Sequence, residues 1–313
     1  MVMLAAALCG TNFGALKILQ KSLDPATLLS ARFMLASAVM APMMMKGRKE
    51  AMWAGFESGL WLAGGYIVQA MALQTIPAAT TAFLGSLTTV VCPFIEKYTG
   101  AKVGNKAWAA AALAVLGAAF LECAGGTTPG LGDGWALLVP VSFGVFFHKT
   151  HSCMKDHPDQ ALPITGMQMV AVASSGVVWS VLQAHGIPAQ DINKLWELMH
   201  DVNFDLALAW IAIAATAFAL ALETVAMAKL PSSETAVIYS SEPLWATGFA
   251  AVLLGEEIGK NTIIGGSHIV AACLGSVADF GSLRKDFFKL RKLSRKKAKK
   301  EVKRTKSSLS QKN

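Results

Sequence analysis

MALQTIPAATTAFLGSL (residues 71–87) lies without a gap on VAMAKLPSSETAVIYSS (residues 225–241) when each residue n is set against n + 154. Pro77 meets Pro231, Thr81 meets Thr235 and Ala82 meets Ala236. Just upstream, Gln69 meets Glu223, so a polar group returns at the same depth of two apolar segments. At other offsets Gly117 pairs with Gly275, and Phe13-Gly14 with Phe143-Gly144. Each pair is weak alone, but all keep the same order, which divides the chain into two similar halves, 1–125 and 132–283.

Composition says what those halves are made of. The chain has 313 residues, 54% of them hydrophobic and 15% charged, with mean hydropathy +0.46. Soluble domains carry roughly 25% charged residues. Apolar segments fall at about 2–19, 25–45, 56–75, 78–98, 105–123, 134–150, 161–183, 205–227, 232–254 and 262–280. A membrane-crossing helix needs about 20 mostly apolar residues. The sequence therefore predicts an all-α polytopic membrane protein with ten transmembrane helices. GTNFG (10–14) and GFESG (55–59) carry the small-xxx-small spacing that lets two helices approach closely.

Charge fixes the direction of threading. Residues 284–313 hold 14 Lys or Arg against Asp286 and Glu301, net +12, so the remainder of a +8 chain is −4. A basic segment following a hydrophobic helix marks a cytosolic end and contacts anionic lipids. No folded nucleic-acid motif accompanies it, so no nucleic-acid partner is expected. With the N-terminus inside, the inside loops carry Lys46, Arg48, Lys49, Lys97, Lys102, Lys106, Lys149, Lys155 and Lys229, and the outside loops carry Lys21, Lys194 and Lys260. The long outside loop 184–204 is acidic, with Asp191, Glu197 and Asp201. The positive-inside rule thus puts both termini in the cytosol, which needs an even number of spans. Met1 stands almost inside the first span, which leaves room for an upstream targeting segment.

Two halves of five spans enter the bilayer from opposite sides. Such inverted repeats build transporters, with the substrate site near mid-membrane where the halves meet. CGTNFGALKIL with ARFMLA (31–36), and MAKLPSSETAVIYSSEPLWATGFAAVLLGEE (227–257) with its Glu-Pro and closing Gly-Glu, resemble the EamA-type transporters of the drug/metabolite transporter superfamily. The resemblance covers nearly the whole chain. It implies two five-helix units and a carrier of small organic solutes that hydrolyses no ATP. In the first unit Thr88-Thr89 replaces the Glu-Pro pair, which departs from a strictly two-fold site.

Polar side chains inside spans are the candidate substrate-cavity residues, because each costs a few kcal/mol there and faces a cavity or a partner. They are Asn12, Arg32, Gln69, Gln168, Glu223, Tyr239, Glu242 and, for its aromatic ring, Trp245. Pro243 removes a backbone donor beside Glu242 and is the expected helix break, freeing a carbonyl such as that of Tyr239. Glu242 lies about 16 Å into its segment at 1.5 Å per residue. It reads as a cavity group, with a buried structural pair as the alternative. Arg32, the only arginine in any span, either pairs with an acid or meets an anionic substrate group. Glu242 and His268 are candidates for a proton relay; a lone histidine among Gly, Ser and Ile also reads as a packing residue. Glu234, three residues after Pro231, reads as part of a helix cap.

Several chemistries lack their residues. HKTHSCMKDHPD (148–159) reads as a solvated inside loop without standard zinc spacing. There is no P-loop, dinucleotide fingerprint, G-x-S-x-G or H-E-x-x-H. No disulfide framework, metal or cofactor is expected. The reading is a multi-pass secondary transporter or exporter of a small metabolite, working by alternating access with a cavity formed by spans 1, 2, 3, 6, 8 and 9. A lipid-modifying membrane enzyme and a non-transporting scaffold are the alternatives. A homodimer is compatible with the sequence, which does not name the membrane.

Overall fold

The structure, a computed structural model, describes residues 1–20, 22–75, 85–101, 103–122, 136–184, 189–254 and 260–277. Two compact units are distinguished, Met1–Ser276 and Val277–Asn313. Nearly all of the second, including the basic tail, lies outside the described residues, as do Pro77, Cys123, Glu256 and Glu257.

The described residues contain helices and no strand. They are α1 (Val2–Leu19), α2 (Pro25–Met44), α3 (Lys49–Thr75), α4 (Thr88–Tyr98), α5 (Asn105–Glu122), α6 (Leu138–Asp156), α7 (Ala161–Gln183), α8 (Ala189–Leu198), α9 (Val202–Ala209), a π-helical stretch (Trp210–Phe218), α10 (Ala219–Met227), α11 (Ser232–Tyr239), α12 (Glu242–Leu254) and α13 (Lys260–Val277). Pro25–Met44, Ala161–Gln183 and the continuous rod Val202–Met227 are long and apolar enough to cross a membrane.

Local chemistry sets these boundaries. Asp24 Oδ2 accepts from the backbone N–H of Ala26 (2.9 Å) and Thr27 (3.3 Å), and Pro25 opens the first turn of α2. This is the acid cap and N1 proline of a well-terminated helix. Asp201 caps α9 in the same way through Asn203 N at 2.9 Å. Two segments depart from expectation. HKTHSCMKD is not loop: α6 runs on to Asp156, and His151 Nδ1 donates to the Met227 carbonyl at 2.8 Å. The acidic segment expected to be loop contains α8, whose Leu195 and Leu198 pack on Leu19, Leu23, Phe204 and Leu208.

α7 stands between α2 and α3 at the centre of the bundle. Phe33, Leu62, Phe146, Met154, Ile164, Met169 and Met227 are fully buried around it. Hydrocarbon is as apolar as these side chains, so close contact rather than water exclusion holds such helices together. Glycines supply that contact. A Cβ on Gly55 would lie 2.8 Å from the Ile164 carbonyl oxygen, and one on Gly59 would lie 2.6 Å from Gln168 Cα. GFESG is thus the face on which α3 rides against α7. Gly10 of GTNFG does the same for α1 on α12, where a Cβ would meet Trp245 Cβ at 2.8 Å and Ala246 N at 2.9 Å.

A polar staple reinforces the centre. Gln168 is fully buried; its Nε2 donates to Ser58 Oγ (3.0 Å) and Thr150 Oγ1 (2.9 Å), and its Oε1 accepts from Thr224 Oγ1 (3.4 Å). One amide therefore ties α7 to α3, α6 and α10. Gln168→Leu is expected to cost about 1–3 kcal/mol by stranding these hydroxyls. A thermal melt in detergent should show a lowered midpoint; an unchanged midpoint would count against the staple. The ion pairs Arg48–Asp159, between helices, and Lys149–Glu57, joining α6 to α3, both 2.6 Å, are exposed and contribute little. A hydrogen bond from the Gln160 amide at 3.1 Å is the main influence holding the Asp159 carboxyl below its ordinary range.

Candidate functional site

Arg32 on α2 is 3% exposed in the middle of the bundle. A guanidinium buried in a span must find partners. Its Nε donates to Thr216 Oγ1 at 2.5 Å. With the Asn12 carboxamide turned oxygen-inward, Oδ1 accepts from Nη1 (3.0 Å) and Nη2 (3.1 Å). The guanidinium carbon lies 5.2 Å from the centre of the Phe33 ring and 5.7 Å from that of Tyr66. Tyr66 in turn stands edge-on to Phe143 at 5.4 Å. Thr216 belongs to the π-helical stretch and donates onward to the Ile211 carbonyl, five residues back, at 2.6 Å. Single π-turns recur at functional sites because the widened backbone re-aims side chains; this one presents Thr216 to Arg32.

The acids approach from the other half of the chain. Glu223 on α10 is 2% exposed. α11 ends at Tyr239 and α12 begins at Glu242, so the helix is broken at Ser240-Ser241, just ahead of the Glu242-Pro243 pair. The normal ladder gives way there to shorter steps, Ser241 N to Ile238 O (3.1 Å) and Leu244 N to Ser241 O (3.0 Å). The half-buried Glu242 lies within electrostatic reach of Arg32. Glu223 lies beside Tyr239 and within reach of Glu242. No salt bridge joins Arg32 to either acid among the described residues. Its direct partners are neutral, leaving both carboxyl groups without an arginine clamp. Glu223 and the Tyr239 hydroxyl are buried side by side, but among the described residues neither Glu223 Oε1 nor the hydroxyl makes a hydrogen bond of good geometry. Buried polar atoms left open in this way call for an explanation.

The structure therefore brings Asn12, Arg32, Glu223, Tyr239 and Glu242 into one neighbourhood, with Pro243 at its break. Gln69 is half-buried on α3, one turn beyond Tyr66. Gln168 belongs to the packing staple instead. Trp245 packs its Cβ against Gly10 and is 39% exposed. His268 lies at the seam of α13 with α5, bonded through Nδ1 to the Ile264 carbonyl (2.8 Å) and stacked on Phe120 at 5.6 Å. Sequence reasoning missed Thr216, Phe33 and Tyr66. Tyr66, one of three tyrosines in the chain, carried the one usable signal.

The beginning of α11 corrects another expectation. Glu234 does lie in its first turn, but the acid that caps the helix is Glu96, from the end of α4. Glu96 Oε1 accepts from Ser232 Oγ at 2.6 Å and from the Ser233 backbone N–H at 3.0 Å. Pro231, at the capping position, has no side-chain acceptor to offer.

Known proteins resemble this chain in sequence family and in fold. The model of the EamA-like transporter family matches residues 1–122 and again 130–278. A solved structure described only as "Crystal structure of protein" is 16% identical, with a TM-score of 0.71, over 88% of this chain and 95% of that one; this likeness shows the fold. No curated protein matches the sequence. With apolar helices long enough to span a bilayer, and with the family model matched across most of its length, this integral membrane protein belongs to the EamA-like transporter family.

Proposed function

We propose that the chain is a secondary transporter or exporter of a small polar organic metabolite. It works by alternating access without ATP hydrolysis, through a cavity around Arg32, Asn12, Tyr66, Glu223, Tyr239 and Glu242. The carrying observation is the buried Glu223–Tyr239 pair, adjacent yet without a well-formed hydrogen bond at Oε1 or the hydroxyl among the described residues, deep in a bundle that also buries an arginine. A protein that only needed to pack would have no use for such atoms; a passing polar solute can satisfy them. In this reading ten spans form two inverted five-helix halves, 1–125 and 132–283. Both termini are cytosolic, and the tail 284–313 lies against anionic lipid.

The test is counterflow into proteoliposomes across a broad panel of labelled metabolites, with and without a pH gradient. Accumulation of at least one solute supports the reading; no movement of any solute overturns it. Proton coupling is assigned to Glu242 and Glu223, the two carboxyl groups without a clamp. Glu242→Gln and Glu223→Gln are each expected to abolish stimulation by the pH gradient while leaving solute exchange measurable. Full stimulation in both variants would refute coupling at these groups, and unaltered flux in both would remove them from the pathway.

A further inference from the structure

We propose that Glu96 is the latch that holds one end of the bundle shut, releasing when that end opens. This rests on the transport reading above. A helix begins with four backbone N–H groups that lack partners within the helix, and the capping residue usually satisfies one of them. α11 has Pro231 there and no side-chain cap of its own. Its acceptor comes from Glu96, 136 residues earlier. α4 lies in the first stretch matched by the family model and α11 in the second. The cap is therefore a bond between halves, made by an acid at the positive end of the helix it holds.

The latch is buried: Glu96 is 7% exposed, Ser233 4% and Ser232 0%. Cys92, one turn before Glu96, is also fully buried, with its thiol toward the Gly144 carbonyl. A charge in such a place is either bonded or wetted, which gives the contact two states rather than a continuum. Lys97 follows Glu96 and Lys229 precedes α11, so loop charge assigns this end to the cytosol. From Ser232 the helix rises about 12 Å, at 1.5 Å per residue, to the break at Ser240-Ser241. That break supplies the hinge. α11 can swing about it once Glu96 lets go, its Ser232 end moving furthest while Tyr239, beside the pivot, turns relative to Glu223. Glu96 is thus a positioning residue, which sets the site through α11 without touching solute.

Cys92 reports the state of the latch. With Cys9, Cys123, Cys153 and Cys273 replaced by alanine, its reaction with a membrane-impermeant maleimide is followed in inside-out vesicles, well below each variant's melting midpoint. Glu96→Ala is expected to accelerate labelling at least about tenfold, the scale of losing charge-assisted hydrogen bonds. Ser232→Ala, which removes one of the two bonds, falls between, and Glu96→Gln, which keeps an acceptor, lies nearest the parent. Equal rates in all folded variants, or acceleration only near melting, would show a purely structural cap and overturn the latch. Should Glu96→Ala fail to fold, the other two variants carry the comparison. The readout needs no solute: unchanged labelling in a chain that transports sinks the latch alone, whereas absence of transport sinks the transport reading whatever the labelling.

Discussion

Replacing Arg32 with alanine is expected to lower solute flux at least about 100-fold, the combined scale of several charge-assisted hydrogen bonds. The change removes the donor to Thr216 Oγ1 and to the Asn12 carboxamide and empties the space beside Phe33 and Tyr66. It also leaves Glu242 and Glu223 within reach of each other with no arginine beside them. Arg32→Lys is the sharper experiment because it keeps the charge. A lysine is a compact point charge without a planar fork. It cannot meet Thr216 on one side, present two parallel donors to Asn12 on the other, and lie flat on two aromatic rings. Flux in Arg32→Lys should therefore fall at least about tenfold, the scale of one such bond. Initial rates in proteoliposomes, using any solute found by counterflow, measure both variants. Wild-type kinetics in either would remove Arg32 from the transport pathway and leave it a packing residue.

The helices were legible in the sequence because apolar runs and their terminators are local. α1 ends at Leu19 and α7 spans 161–183, as the hydropathy suggested, and Asp24-Pro25 announced the start of α2. The helix break beside Pro243 was legible for the same reason: a missing donor is a property of one residue. The partners across helices were not. Nothing in the sequence near Arg32 points to Thr216, 184 residues away, so a buried cation invited an acid where the structure supplies a hydroxyl and an amide. The cap of α11 was misassigned likewise. Ser-Ser-Glu after a proline is a plausible local cap, but Glu96 arrives from another helix and takes the role. α8 is a different kind of miss, because Leu195 and Leu198 recur at helical spacing within an acidic loop and carried a signal that net charge obscured.

Gly59→Leu is expected to destabilise the fold severely. A Cβ at Gly59 would stand 2.6 Å from Gln168 Cα, 2.7 Å from Ala171 Cβ and 2.8 Å from the Gln168 carbonyl oxygen. Two of these three are backbone atoms of the central helix and cannot rotate away as the tip of a side chain can. The clash is relieved only by moving α3 off α7, which breaks the Gln168 bond to Ser58 and opens the seam that continues through Gly55. Overpacking a core typically costs about 1–3 kcal/mol, and more where backbone must shift. Marginal stabilities of about 5–15 kcal/mol leave little room for the larger values. Loss of the monodisperse peak in detergent chromatography, or a melting midpoint lower by at least about 5 °C, is the expected result. Gly248→Leu supplies the matched control, since among the described residues no atom of another helix lies within 4 Å of a Cβ there. If both variants behaved alike, close approach at Gly59 would not be what holds α3 to α7. If Gly59→Leu alone failed, the contact that GFESG makes with α7 would be a requirement of the fold and not an incidental feature of small residues.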